Sequence, residues 1–126
     1  MKTPKLYRVI IPVSDIKKAE RFYSFILGIK GERVSHGRCY FNCGGTILAC
    51  YDPIADGDNF KSKPNPDNVY IAVKNLEETY DKAKKINCLY IDNKIRKRPW
   101  GERSFYIKDP FGNPICFVDY KTIFTS

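Results

Sequence analysis

The chain has 126 residues, which is the length of one domain with its own core, and its 43% hydrophobic and 29% charged residues are ordinary for a globular protein. No apolar run approaches the roughly 20 residues needed to cross a bilayer, and the opening stretch MKTPKLYR lacks the apolar segment of a signal peptide. We therefore expect a cytoplasmic protein with no membrane association.

The net charge of +8 arises from 22 Lys and Arg residues against 14 Asp and Glu residues. Such a balance raises nucleic acid, a membrane surface or an anionic ligand as partners. Many of the lysines fall on the polar faces of predicted amphipathic helices, where a solvated face explains them. Only residues 94–98, KIRKR, form a dense basic cluster, and a solvated loop explains that as well. We predict a small-molecule partner and no nucleic acid.

The cysteines are odd in number, lack C-x-x-C spacing and mostly lie in or beside apolar runs, which favours buried free thiols over disulfides or a metal site. They are Cys39, Cys43, Cys50, Cys88 and Cys116. The single histidine, His36, falls between predicted strands with no obvious catalytic partner.

The first half of the chain begins with an apolar strand at 6–13 that runs into Ser14 and Asp15, which are good helix N-caps. Apolar residues at spacings of three and four predict a helix at 15–27, and Gly28 ends it. The apolar stripe of this helix consists of Ile16, Ala19, Phe22, Tyr23 and Ile26. Further strands are predicted at 31–35, 38–42 and 46–51, with Gly44 and Gly45 in the last turn.

The second half repeats this order after a stretch with three prolines and Gly57, which is typical of a linker or mobile loop. A strand is predicted at 68–73, a helix at 76–86, and strands at 89–95, 103–108 and 115–120. The apolar face of the helix consists of Leu76, Tyr80, Ala83 and Ile86. We therefore expect one domain, 1–126, with a βαβββ module at about 6–52, a linker at about 53–67 and a second βαβββ module at about 68–121.

The last two strands are joined by the turn sequence DPFGNP. Pro110 pre-sets φ for a turn, Gly112 readily adopts a positive φ, and Asp109 and Asn113 readily hydrogen-bond to local backbone. This stretch predicts a tight β-hairpin.

The pattern WGxRxFYxxDPxGNxxxF of the closing hairpin, together with the strand, V-S-D cap, FY pair and closing LG of the first module, resembles the vicinal oxygen chelate superfamily. This superfamily includes glyoxalases, extradiol dioxygenases and bleomycin-resistance proteins. The two motifs occur in the expected order and cover nearly the whole chain. The resemblance implies an α+β fold in which two βαβββ modules form a cleft-shaped, curled mixed sheet, and a homodimer in which each cleft is walled by both chains.

In this superfamily a metal is held by the first and last strands of each module. The alignment places Arg8 and Asn68 at the first-strand positions, Cys116 at the usual carboxylate position and Leu48 or Ala49 at its counterpart. Arginine is always protonated, asparagine is a weak donor, and one thiolate does not hold a hard ion. We therefore predict no bound metal and no cofactor.

The resemblance is greatest to the metal-free bleomycin-resistance branch, whose members sequester a small molecule between aromatic walls. Bleomycin-type drugs are cationic and call for an acidic cleft, whereas this chain is basic and places a permanent positive charge at the presumed metal position. We therefore expect a neutral or anionic aromatic ligand. The predicted ligand-binding residues are Arg8, Tyr40, Asn68, Tyr70, Trp100, Phe105 and Cys116, and packing in the core is the alternative role for each aromatic residue.

A metal-dependent glyoxalase-like lyase or dioxygenase with an atypical ligand set is the alternative function. The sequence leaves open whether any catalysis occurs, and it does not name the ligand.

Overall fold

A computed structural model describes residues 3–126, which form two compact units. The first unit ends at Lys63 and the second runs from Pro64 to Ser126. Each unit carries one α-helix and one sheet with both parallel and antiparallel strands, which confirms the expected α+β class. The boundary between the units falls inside the segment expected to link two modules, while the assignment of the whole chain to one domain stays a prediction.

The first unit contains one helix and four strands in the predicted order. They are β1 (Arg8–Pro12), α1 (Ile16–Leu27), β2 (Glu32–Ser35), β3 (Arg38–Cys43) and β4 (Thr46–Tyr51). The strands lie in the order β1-β4-β3-β2, with β1 parallel to β4 and the remaining pairs antiparallel. The crossover through α1 lets β2 run in the same direction as β1. Two antiparallel pairings then return β4 to the direction of β2, so β4 lies parallel to β1.

The boundaries of α1 follow from local chemistry. The Asp15 carboxylate accepts the backbone N–H of Lys18 at 3.1 Å, which satisfies one of the free donors of the first turn. Gly28 ends the helix with a φ of 67°, a left-handed conformation that favours glycine. All five residues of the predicted apolar stripe are buried. The predicted helix is thus confirmed in position and in orientation.

The first part of the proline-containing segment is bound to the turn between β2 and β3. The backbone N–H of Asp52 donates to the carbonyl of Gly37 at 2.7 Å. The Asp56 carboxylate accepts the Ser35 hydroxyl at 2.5 Å and the Gly37 N–H at 3.0 Å. These bonds fix the chain immediately after β4.

The second unit contains one helix, five strands and a short 3-10 helix. They are β5 (Val69–Val73), α2 (Leu76–Lys84), β6 (Tyr90–Ile91), β7 (Arg96–Lys97), β8 (Arg103–Lys108), β9 (Pro114–Asp119) and the 3-10 helix Tyr120–Thr122. The sheet order is β5-β9-β8-β6, with β7 also paired to β8 and β5 parallel to β9. By position in the sheet, β5 therefore corresponds to β1, β9 to β4 and β8 to β3.

The predicted strand at 89–95 is confirmed only at Tyr90–Ile91, because residues 92–95 leave the strand and a second short strand follows at Arg96–Lys97. The Asp92 carboxylate accepts the Tyr90 hydroxyl at 2.6 Å and the Tyr106 N–H at 2.9 Å. This side chain therefore takes a donor of β8 that a continuous strand would have used. Several other predicted elements ran one or two residues long. For example, α2 stops at Lys84, and β9 gives way to the 3-10 helix where Asp119 accepts the N–H of Lys121 at 3.0 Å.

The DPFGN turn forms as predicted. The Asp109 carboxylate accepts the N–H groups of Phe111 at 2.9 Å and Asn113 at 2.8 Å, and the Asn113 side-chain amide at 3.0 Å. Gly112 has a φ of 91°. Asn113 also accepts the N–H of Asn65 at 2.8 Å, and both Asp109 and Asn113 are buried. The turn is therefore an internal hydrogen-bonded unit rather than a solvated loop.

All five cysteines are free thiols, as predicted. Cys39, Cys50 and Cys116 are buried, and the other two are half-buried. Across residues 3–126, no helix combines the length and the apolar character needed to span a bilayer.

Candidate functional site

The sheet of the first unit presents one face to α1 and one face away from it. Phe41 points toward α1, because its ring lies 6.2 Å from that of Tyr23. Side chains alternate along a strand, so Tyr40 lies on the opposite face. Pairing across the sheet places Ile10, Ala49 and Tyr40 in one row there.

Arg8, the first residue of β1, lies on this same face and contacts two tyrosines. Its guanidinium donates to the Tyr40 hydroxyl at 2.5 Å, and its Cζ lies 4.9 Å from the Tyr7 ring centroid and 5.3 Å from the Tyr40 ring centroid. Within residues 3–63, no carboxylate lies within ion-pair distance of Arg8. The result is an exposed cation, held by aromatic contacts, whose charge is not neutralised within its own unit.

The second unit has an equivalent row on the face away from α2. Phe105 packs against Tyr80 of α2 at 4.9 Å, so its neighbour Tyr106 points the other way. Tyr70, Cys116 and Tyr106 align across β5, β9 and β8, as Ile10, Ala49 and Tyr40 do in the first unit. The side chains of Tyr106 and Tyr70 interact, and, besides burial, this interaction helps to raise the pKa of Tyr106.

A second arginine lies against this row. The Cζ of Arg98 is 4.8 Å from the Tyr106 ring centroid, and its Nε donates to the Ser104 hydroxyl at 2.9 Å. Unlike Arg8, Arg98 is paired with a carboxylate, that of Asp92 at 3.3 Å. Each unit thus has its own arginine beside a tyrosine. Among the residues described, Arg98 has a carboxylate partner and Arg8 does not.

Burial affects the ionisation of Tyr106 and Cys116 in the row of the second unit. It raises the pKa of Tyr106 to about 12, so this hydroxyl remains a hydrogen-bond donor near neutral pH. Burial also raises the pKa of Cys116, which keeps the sulfur in its thiol form. The face therefore offers neutral donors rather than anions.

The remaining predicted residues are not members of these rows. Trp100 is 63% exposed and donates its indole N–H to Glu102 at 2.9 Å, while Asn68 is half-buried just before β5. Phe105 has no exposed surface and packs with Tyr80 and Phe117. This burial favours the alternative role of core packing for Phe105.

The sequence interpretation overlooked Tyr7, Asp92, Arg98, Ser104 and Tyr106. One signal was available for two of them, because strand alternation in SFYIK puts Ser104 and Tyr106 on one face and Phe105 on the other. Arg98 belongs to the basic cluster that was interpreted as a solvated loop, yet its side chain is only 15% exposed.

The residues at the superfamily's metal positions do not fit a metal ion. Arg8 is a permanent cation, Asn68 is a weak neutral donor, Ala49 has no donor atom, and the buried Cys116 thiol resists deprotonation. Among residues 3–126, no group of three or more His, Cys, Asp or Glu side chains is arranged to hold a metal ion. We derive no metal-dependent step from this donor set.

Comparison with known proteins places this geometry in a family. A bleomycin resistance protein of Geobacillus stearothermophilus is 25% identical over 119 residues, aligning 85% of this chain and 90% of its own length. A crystal structure of a glyoxalase/bleomycin resistance protein from Albidiferax ferrireducens has a TM-score of 0.75 at 17% identity, covering 89% of this chain and 95% of its own. A glyoxalase-related enzyme from Fulvimarina pelagi has a TM-score of 0.74 at 15% identity, covering 93% and 88%.

The match to a family model also spans most of the chain. Residues 5–117 match the family model described as the Glyoxalase/Bleomycin resistance protein/Dioxygenase superfamily. This span covers most of both units and every residue of the two rows. The chain therefore belongs to the glyoxalase/bleomycin resistance protein/dioxygenase superfamily.

Proposed function

We propose that the chain is a metal-independent small-molecule-binding protein that takes a neutral or anionic aromatic ligand in a cleft walled by two copies of the chain. The observation that carries this proposal is Arg8, an exposed guanidinium at a presumed metal position with no carboxylate partner among residues 3–63. A ligand carboxylate or other acceptor would form the charge-assisted hydrogen bonds that this group lacks.

The aromatic character of the ligand is supported by the side chains around the arginines. Tyr7 and Tyr40 lie against Arg8 in the first unit, and Tyr70 and Trp100 are more than half exposed in the second. Exposed aromatic side chains of this kind commonly mark ligand or protein contacts. They supply stacking area without requiring a charged ligand.

Metal independence is supported by the chemistry of the replaced donors. A bound divalent cation next to Arg8 would face a fixed positive charge, and the row around Cys116 offers protonated groups only. The drug in the name of the Geobacillus relative is a poor guide at 25% identity. A basic chain with a free arginine favours an anionic or neutral ligand.

The homodimer is part of the same proposal. It is supported by membership of the superfamily and by the exposed hydrophobic residues Ile10 and Tyr70 on the sheet faces away from the helices. A second copy would remove such surface from water, which is favourable in proportion to the apolar area covered.

Matched aromatic probes test the proposal. Isothermal titration calorimetry would compare 2-naphthoate, its methyl ester and 2-(aminomethyl)naphthalene, which share one ring system and differ in charge. The protein would first be treated with a chelator and assayed for residual metal. We expect the carboxylate or the ester to bind the chelated protein and the amine to bind least.

Two results would reject the proposal. One is a tightly bound metal ion per chain whose removal abolishes probe binding, since that would restore the metal-dependent alternative. The other is preferential binding of the cationic probe, since the exposed guanidinium would then not face the ligand.

A further inference from the structure

A cavity of about 400 Å³ lies in the first unit, at the edge of the sheet where β1 and β4 end. Ser14 follows the end of β1 by two residues, and Asp52 directly follows β4. Because these strands are parallel, their carboxyl ends meet at the same edge. Arg8 lies at the opposite end of β1, about 20 Å away at the usual rise per residue. The cavity is therefore separate from the face that carries Arg8.

The anionic group of this cavity is a largely buried carboxylate in a fixed orientation. Asp52 is 7% exposed, and its Oδ1 accepts the N–H of Ala55 at 3.2 Å. Its backbone is fixed on both sides, because its N–H donates to Gly37 at 2.7 Å and its carbonyl accepts the N–H of Asp56 at 3.1 Å. A side chain held in this way presents a charge at a defined place, which reduces the entropy lost on binding a cation.

The rest of the lining supplies a cation, hydroxyls and an apolar wall. Lys61 is exposed, and within residues 3–63 no carboxylate lies within ion-pair distance of it. Ser14 and Ser62 contribute hydroxyls that both donate and accept hydrogen bonds. Ile54, 56% exposed, and Ala55 form the apolar part. The cavity thus combines a carboxylate held in one orientation with an ammonium group on an exposed lysine side chain.

We propose that this cavity binds a small aliphatic amino acid as its zwitterion. The ligand ammonium donates to the Asp52 carboxylate, and the ligand carboxylate accepts from Lys61 and the serine hydroxyls. The alkyl chain lies against Ile54 and Ala55. A ligand with only one of the two charges leaves either Asp52 or Lys61 without its partner, so both charges are needed for full affinity.

The test is a titration of the full chain with L-norvaline, followed by backbone amide chemical shifts in a 15N correlation spectrum. Pentanoate and butylamine are the matched probes, because each keeps most of the alkyl chain and one of the two charged groups. We expect norvaline to move the amides of residues 14, 52, 54–55 and 61–62, and to bind at least roughly tenfold more tightly than either matched probe.

Two variants separate a binding role from a structural one. Asp52→Asn keeps an oxygen for the Ala55 N–H but removes the charge, and Lys61→Gln removes the cation at an exposed position. Each should weaken norvaline binding at least roughly tenfold. Lys63→Gln is the matched control, because Lys63 is exposed and does not line the cavity. If Asp52→Asn unfolds the protein, Lys61→Gln still decides the result.

The inference is overturned by any of three results: no shift change up to about 10 mM norvaline, equal affinity for norvaline and a singly charged probe, or equal effects of Lys61→Gln and Lys63→Gln. Arg8→Ala should leave norvaline binding unchanged, and Asp52→Asn should leave 2-naphthoate binding unchanged. The two proposed sites therefore fail or succeed independently.

Discussion

Replacement of Arg8 by alanine is the most direct perturbation of the proposed ligand site. The side chain is exposed, and its contacts are the Tyr40 hydroxyl at 2.5 Å and the rings of Tyr7 and Tyr40. Arg8 contributes no buried apolar surface to the core between β4 and α1. The variant should therefore fold, with a loss of stability limited to about 1 kcal/mol for one exposed hydrogen bond.

The effect on affinity should be larger than the effect on stability. A hydrogen bond to a charged group contributes about 1.5–3 kcal/mol, and each 1.4 kcal/mol corresponds to about a tenfold change in the dissociation constant. Arg8→Ala should therefore weaken binding of 2-naphthoate roughly tenfold to a hundredfold. Solvent screening at an exposed site favours the lower end of that range, and added salt should reduce the difference between wild type and variant.

Two further variants identify what the arginine does. Tyr40→Phe keeps the ring but removes the hydroxyl that accepts the Arg8 hydrogen bond, so it should reduce affinity less than Arg8→Ala. Arg21→Ala removes the same charge from an exposed position on α1 and should leave affinity unchanged. Calorimetry would give the affinities, and thermal unfolding without ligand would give the stabilities.

Two outcomes would refute this account of Arg8. If Arg8→Ala lowers the melting temperature but leaves affinity per folded molecule unchanged, the arginine only braces the sheet. If Arg21→Ala weakens binding as much as Arg8→Ala, the ligand responds to net charge rather than to this guanidinium.

Four further predictions concern the aromatic wall, the closing turn, acid stability and assembly. Trp100→Ala should weaken 2-naphthoate binding through lost stacking area with little change in melting temperature, since the indole is 63% exposed; unchanged affinity would remove it from the site. Asp109→Ala should lower the free energy of unfolding by about 3 kcal/mol or more in urea titrations, because buried donors of Phe111 and Asn113 lose their acceptor; a shift below about 1 kcal/mol would contradict this. Hydrogen bonds from the Lys121 backbone and then from Arg103 lower the pKa of Asp119. The stability that the ionised Asp119 contributes is therefore fully present above its unfolded pKa of about 3.9, and it is lost as the pH falls through the lower folded pKa. Asp119→Asn should accordingly flatten the acid limb of stability against pH, and an unaltered limb would disprove the assignment. Sedimentation at micromolar concentration should give about twice the 14.6 kDa chain mass, whereas a species at the chain mass would exclude the dimer.

The sequence was sufficient for features whose cause is local. The five-residue apolar stripe, the Asp15 cap and Gly28 together define α1, and the structure forms it within one residue of the predicted start. The DPFGN turn was equally predictable, because the Asp109 carboxylate accepts backbone N–H groups two and four residues ahead. Two family motifs in order were enough to predict the superfamily, and the match of residues 5–117 confirms it.

The sequence also placed several candidate site residues without showing what they contact. Arg8 and Tyr40 were both proposed, yet their hydrogen bond joins residues 32 positions apart. Tyr70 and Cys116 were proposed separately, and the register of β5 and β9 makes them neighbours. Such pairs depend on which residues face each other across a sheet, and a one-residue change of register would separate them.

Only the tertiary structure decided the cases in which a distant partner overrides the local pattern. Residues 89–95 were predicted as one strand, but the strand ends at Ile91, where the Asp92 carboxylate binds a backbone donor of β8. Phe105 was chosen for its aromatic ring, but packing against α2 places it in the core. No sequence motif predicts the cavity lined by Ser14 and Asp52, because it forms only where the ends of two parallel strands meet. A linear pattern records what each residue prefers, whereas these outcomes depend on which residues the fold brings within hydrogen-bond distance.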